Sequence, residues 1–232
     1  MAPGAATPGL TAADLEVVLL SLRVAATAVI IALPLAFATA LLLARGRFPG
    51  RSILDALTTL PLVMPPVATG YALLLLFGRQ GLLGAPLAKA GIVLAFDWTG
   101  AALAAGVMAF PLIVRPIRLA METMPADLHL AARTLGAGPW RRLWKVTLPL
   151  SAPGIAAGVI LGFAKALGEF GATITFAAAI PGVSLTLPAA IYQAVQSPGG
   201  EQRAAALCLV AAVIAVAAVA GADAVTRRIL RR

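Results

Sequence analysis

The chain has 232 residues, 61% hydrophobic and only 12% charged, with a formal net charge of +9. Soluble domains carry roughly a quarter charged residues, so the charge here is too sparse to coat a soluble globule of this length. The basic residues fall at the ends of apolar runs, as membrane orientation demands, and this excludes reading the positive charge as a nucleic-acid footprint.

The apolar runs are about 20 residues long, enough to cross a hydrocarbon core of roughly 30 Å. They are uniformly rich in Leu, Ala and Val and do not alternate, so helices are expected and a barrel is not. The expectation is an all-α membrane protein with about five transmembrane helices. Residues 1–23 form an extracytoplasmic N-terminal segment. Met1 to Leu10 has no basic stretch followed by an apolar one, so no cleaved signal peptide is expected. The mixed stretch Leu15 to Arg23 suggests an interfacial helix.

The membrane domain covers residues 24–226. Its first span runs over 24–44 and ends in the basic turn Arg45-Gly46-Arg47-Phe48-Pro49-Gly50-Arg51. The second, 53–77, contains Pro61, Pro65 and Pro66. A mixed loop precedes the third span, 98–119. Loop 120–147 leads to the fourth, 148–176. A proline- and glycine-bearing loop then leads to the fifth, 204–225, and a basic tail, 227–232, closes the chain. Cys208 lies inside a span and fits a small buried apolar residue; no disulfide or metal motif accompanies it.

Five spans put the termini on opposite sides. Thirteen Lys and Arg residues lie in the first turn, the third-to-fourth connection and the C-terminus, from Arg45 to Arg232. The other side carries only Arg23, Arg79, Lys89 and Arg203. The positive-inside bias places the N-terminus outside, with loop 120–147 and the C-terminus in the cytoplasm.

Within that loop, Pro125-Ala126-Asp127 marks a helix start, with Asp127 as its N-cap. Leu128, Ala131, Ala132 and Leu135 then share one face, with His129 and Arg133 on another. Gly136 and Gly138 end the helix, and Pro139 opens the next. There Trp140, Leu143 and Trp144 oppose Arg141, Arg142 and Lys145, a pattern suited to the headgroup boundary. A connector lying on the membrane and a docking helix both fit these features. The small Ala131-Ala132 pair and Gly136 favour docking, because they let a partner's backbone approach closely.

The pathway candidates lie in the second and fourth spans. Each proline of the second removes a backbone donor, so Pro65 and Pro66 should be buried or line a cavity. Gly154, Gly158 and Gly162 make a smooth stripe for helix packing. Lys165 and Glu169 stand one turn apart inside a span, where charges usually face protein, water or a pathway. Thr69, Tyr71, Thr173 and Thr175 offer neutral hydroxyls. An oxyanion can be held by such donors and by helix N-termini.

The segment Ala131-Ala132-Arg133-Thr134-Leu135-Gly136, followed by Val146-Thr147-Leu148-Pro149, resembles the cytoplasmic EAA loop of ABC importer permeases. Leu130 stands in the place of the motif's Glu, and His129 in the acidic place before it. Nearly the whole chain resembles the molybdate permease family of these importers. Leu60-Pro61-Leu62-Val63-Met64-Pro65-Pro66, Gly162-Phe163-Ala164-Lys165-Ala166-Leu167-Gly168-Glu169-Phe170-Gly171-Ala172 and Thr186-Leu187-Pro188-Ala189-Ala190-Ile191-Tyr192 carry that likeness. The Gly-Glu-Phe-Gly segment also resembles sulfate permeases.

The resemblance implies a type I ABC importer permease core with a cytoplasmic coupling helix, sited in a bacterial inner membrane. It implies a homodimer, a cytoplasmic ATPase dimer and a periplasmic or lipid-anchored oxyanion-binding protein. It also implies import of molybdate, with tungstate or sulfate as alternatives, by alternating access. No Gly-x-x-x-x-Gly-Lys-Ser/Thr occurs, so ATP and Mg are expected on the partner ATPase, with no cofactor, metal or catalytic residue in this chain. A secondary transporter would need coupling-ion sites and, in many folds, internal repeats. A non-transporting scaffold would need neither broken spans nor an intramembrane ion pair. Copurification of an ATPase separates these readings.

Overall fold

The structure, a computed structural model, describes residues 11–46 and 48–230. Expectations placed on residues 1–10, on Arg47, on the side chain of His129 and on the side chains of the basic tail 227–232 fall outside the described residues.

The first helix, α1, is Ala12–Arg45. It begins well before Val24, so Leu15 to Arg23 is the head of the first span and not a separate interfacial helix. A capping box sets this start. The Asp14 amide donates to Thr11 Oγ1 at 3.3 Å, and the Thr11 amide donates to Asp14 Oδ2 at 2.9 Å. With 34 residues, α1 is about 51 Å long. That exceeds a hydrocarbon core of roughly 30 Å, so α1 tilts or stands out of it.

The second span is broken. Between helices α2, Arg51–Val63, and α3, Pro66–Phe77, the chain bends by 116°. Met64 is extended because the residue before a proline is pushed out of the helical region, and Pro65-Pro66 then restarts the helix. A short helix α4, Gly84–Lys89, leads to α5, Trp98–Glu122. The connection that follows contains α6, Ala126–Thr134, and α7, Pro139–Arg142. A π-helical turn, Leu143–Thr147, fuses α7 to α8, Leu148–Leu167. The fourth span is not continuous to residue 176: it stops at Gly168 and resumes as α9, Gly171–Ala177. Helix α10, Leu187–Gln196, occupies the long loop, and α11, Glu201–Leu230, is the last span. All secondary structure among the described residues is helical.

The bent pair could be a re-entrant loop or one crossing, and side-chain contacts decide. Arg23 stacks over Trp98, near the start of α1 and at the start of α5. At the other end, Arg118 Nη1 donates to Asp55 Oδ1 at 2.8 Å, and Arg51 approaches Glu122 at 3.8 Å. Helices α1 and α5 therefore run parallel. The chain must return across the membrane between them, and α2 with α3 makes that return. Five crossings result, counting the bent pair as one.

Helix α5 is central. Ala25, Ala28, Ala32, Ala36 and Ala40 of α1 are buried in one cluster with Ala101, Ala102, Ala105 and Ala109 of α5. Small residues let helices approach closely where lipid supplies no hydrophobic drive. The stripe Gly154, Gly158 and Gly162 of α8 does the same against α5, and at Gly162 it also faces Val29 of α1. A Cβ on Gly158 would stand 2.8 Å from the Ile113 carbonyl oxygen, and one on Gly154 would stand 2.6 Å from that of Pro116.

Candidate coupling and pathway sites

Loop 120–147 presents an uncovered face on this chain. Leu128, Leu130, Ala131, Leu135, Trp140 and Trp144 are exposed, as are Asp127 and Arg133, while Ala132 is half-buried. Leu135 is 84% exposed, an unusual position for a large aliphatic unless something else covers it. The helix end is closed in Schellman fashion. The Ala137 amide donates to the Ala132 carbonyl at 2.9 Å, and the Gly136 amide to that of Arg133 at 3.0 Å. Gly136 takes φ +74°, the left-handed conformation that this closure requires. No side chain caps the N-terminus of α6: Asp127 lies in its first turn, and Pro125 holds the N-cap position assigned to Asp127 from sequence.

The π-helical turn joins this loop to the membrane. Arg45 Nη2, at the end of α1, donates to Thr147 Oγ1 at 2.7 Å. The extra residue of a π turn is a local irregularity often found at functional places. Neither the turn nor its tie to Arg45 carried a signal in hydropathy.

The second constellation forms where the two broken spans meet. A Cβ on Gly70 of α3 would stand 2.6 Å from the Ala172 carbonyl oxygen of α9. One on Gly171 would stand 2.7 Å from Pro66 Cβ. The two half-helices thus touch backbone to backbone, with their starts adjacent. Glu169, 2% exposed, lies in the break rather than on a helix. Its Oε1 accepts from the Ala172 amide at 3.0 Å, and its Oε2 pairs with Lys165 Nζ. The carboxylate therefore occupies the start of α9 and is neutralised by Lys165. A lone anion at that depth would be costly; paired and bonded it acts as a pin.

The hydroxyls divide. Thr173 donates to the carbonyls of Phe170 at 2.9 Å and Glu169 at 3.1 Å, and Thr175 donates to that of Gly171 at 2.8 Å. Their protons are committed to their own backbone, contrary to the expectation that both are open donors. Thr69 is buried, and its Oγ1 has no partner. Tyr71 is 56% exposed, and Pro65 and Pro66 are exposed rather than buried on this chain alone. The structure thus brings Pro66, Thr69, Glu169, Thr173 and Thr175 into the α3–α9 junction region, with Lys165 beside it.

Sequence reasoning missed two polar clamps. Arg203 of α11 donates to buried Asp14 Oδ1 from Nε at 2.9 Å and from Nη2 at 2.7 Å. Arg118 joins Asp55 and, at 2.7 Å, Glu122. These partners lie far apart in sequence except Arg118 and Glu122, whose four-residue spacing was a readable signal.

Five crossings, two broken spans in contact and an uncovered amphipathic loop on one side define a polytopic helical membrane protein. The sequence profile of the binding-protein-dependent transport system inner membrane component matches residues 32–232. The chain belongs to that family. It is 52% identical over 208 residues to the molybdenum transport system permease protein ModB of Escherichia coli K12, covering 89% of this chain and 91% of the relative. It is 40% identical over 157 residues to the sulfate transport system permease protein CysW of Synechococcus elongatus, covering 68% of this chain and 55% of that one. In fold it is similar to a chain of a bacterial alginate ABC transporter in complex with an alginate pentasaccharide-bound periplasmic protein. That match has TM-score 0.75 at 17% identity and covers 94% of this chain and 80% of the other.

Proposed function

We propose that this chain is the permease subunit of an ATP-driven importer that carries molybdate across the inner membrane by alternating access. The observation that carries this reading is the identity to the molybdenum permease over nearly the full length of both chains. Sulfate is the second reading, favoured by the shorter likeness to a sulfate permease.

The side of the membrane bearing the end of α1, the start of α2, the end of α5 and α6–α7 carries Arg45, Arg51, Arg115, Arg118, Arg133, Arg141, Arg142 and Lys145. The positive-inside bias makes it the cytoplasmic side. The N-terminus is then outside and the C-terminus inside. The exposed residues Leu128, Leu130, Ala131, Leu135 and Gly136 are the docking face for an ATPase dimer. Asp127, Ala132 and Arg133 frame it, and His129 belongs to the same helix. With Leu130 in place of an acid, docking rests on shape and apolar contact.

Two copies of the permease enclose the pathway, lined by the α3–α9 junction, with Thr69, Tyr71, Lys165 and Glu169 near it. Closing of the ATPase pulls the coupling loops together. Through the π-helical turn this load reaches α8 and the break at Glu169. A periplasmic binding protein supplies the substrate, as such a protein does in the alginate complex.

The test is ATPase activity in proteoliposomes holding this chain, its ATPase and its binding protein. Stimulation by molybdate-loaded binding protein is expected. Stimulation by sulfate alone replaces the substrate. No stimulation by either in an assembled complex overturns the importer reading.

A further inference from the structure

An apolar groove of about 840 Å³ runs between α1, α2 and α5. Its α1 wall carries a stripe at four-residue spacing, Thr27, Ile31, Leu35 and Thr39, with Ala28 and Ala32 beside it. Ile31 and Leu35 are exposed, at 60% and 62%. From Thr27 to Thr39 the stripe covers about 18 Å at 1.5 Å per residue. One turn before Thr27 the same stripe continues into Arg23. Its guanidinium lies 3.7 Å from the ring centroid of Trp98, and Trp98 itself lines the groove. Arg23 is exposed and, among the described residues, has no carboxylate partner.

The groove itself is an uncharged, largely aliphatic trough, and just beyond its Trp98 end, where a Trp marks the membrane boundary, stands one cation, Arg23. Its length matches one leaflet, about half of a core of roughly 30 Å. A membrane-crossing helix from a second copy would need twice that length. It would also lay apolar surface against a guanidinium. A lipid acyl chain has the right length, and its phosphate answers the guanidinium's planar donors.

We propose that a phospholipid from the leaflet on the N-terminal side of α1 occupies this groove, its acyl chain along Ile31 and Leu35 and its phosphate bound by Arg23. The lipid covers apolar surface that α1, α2 and α5 leave open, and so becomes part of their packing.

The test uses the assembled permease–ATPase complex, delipidated in detergent and titrated with phosphatidylglycerol, with bound lipid counted by native mass spectrometry. One tight lipid per permease chain is expected. Arg23→Ala should weaken it about tenfold or more, the effect of losing a charged hydrogen bond. Arg23→Lys should keep most of the binding. Leu35→Trp, which fills the trough from an exposed position without entering the core, should also expel the lipid. Equal binding by wild type, Arg23→Ala and Leu35→Trp overturns the proposal. So does disulfide cross-linking of Ile31→Cys to a second copy in a Cys208→Ala background, because the groove would then be a protein interface.

Discussion

The guanidinium of Arg203 holds the Asp14 carboxylate through Nε and Nη2, both on Oδ1, across 189 residues of sequence. The other oxygen, Oδ2, is taken by Thr11. One buried carboxylate thus caps the first helix and fastens the last one beside it.

Arg203→Gln should destabilise the protein by about 1–3 kcal/mol, because Asp14 keeps its charge in a buried place. The lower half of that range is expected, since the Arg203 side chain is half exposed. Asp14→Asn in the same background should recover part of the loss. Thermal unfolding of the detergent-purified double and single variants measures the coupling. Additive losses would mean that the two residues do not act as a pair.

The glycine stripe of α8 gives a positional prediction. Gly158→Ala puts a Cβ where the Ile113 carbonyl oxygen stands, and backbone cannot step aside as a side-chain end can. A cost of about 1–3 kcal/mol is expected, from overpacking. Gly138→Ala, which meets nothing within 4 Å, should change little. Membrane levels and unfolding temperatures of the two variants should differ in that order.

Much of the fold was legible in the sequence because membrane crossings are written in long apolar runs. The break at Met64–Pro65 was legible too, since two prolines leave the residue before them little choice. The break at Gly168–Phe170 was not. Two glycines, Gly168 and Gly171, were a weak sign, and what supports the interruption is tertiary: the bond from the Ala172 amide to Glu169 and the close approach of Gly171 to Pro66. The early start of α1 had a local sign, a threonine followed three residues later by an aspartate, Thr11 and Asp14, but hydropathy draws the eye to Val24. The α6 helix and its end were legible through its helical period and its Gly136 stop. The tie from Arg45 to Thr147 joins residues 102 positions apart and left no trace in any window.

At Gly136 the conformation and the surroundings make separate predictions. The left-handed φ penalises any Cβ by about 1–2 kcal/mol, least for Asn. Nothing lies within 4 Å, so this chain has room for a side chain. Gly136→Asn, Gly136→Asp and Gly136→Val should all insert and fold. Coupled ATPase activity should fall in the order Gly, Asn, Asp, Val, because both the helix end and its closeness to a partner are disturbed. Wild-type transport by Gly136→Asp would remove this loop from the coupling role.

Lys165 can serve as the counter-ion of Glu169 or as a cation that meets the travelling oxyanion, and a double variant separates the two. Lys165→Met leaves a buried carboxylate without its cation, so the protein should lose stability by about 3 kcal/mol or more and transport with it. Glu169→Gln keeps an oxygen for the Ala172 amide and needs no counter-charge. If Lys165 is only a counter-ion, Lys165→Met with Glu169→Gln should regain the stability and much of the transport. If the cation meets the substrate, the double variant should refold and stay inactive. The pin geometry favours the first outcome: Glu169 already fills the start of α9 and already holds Lys165. Unfolding temperature and molybdate uptake, measured on the same preparations, decide it.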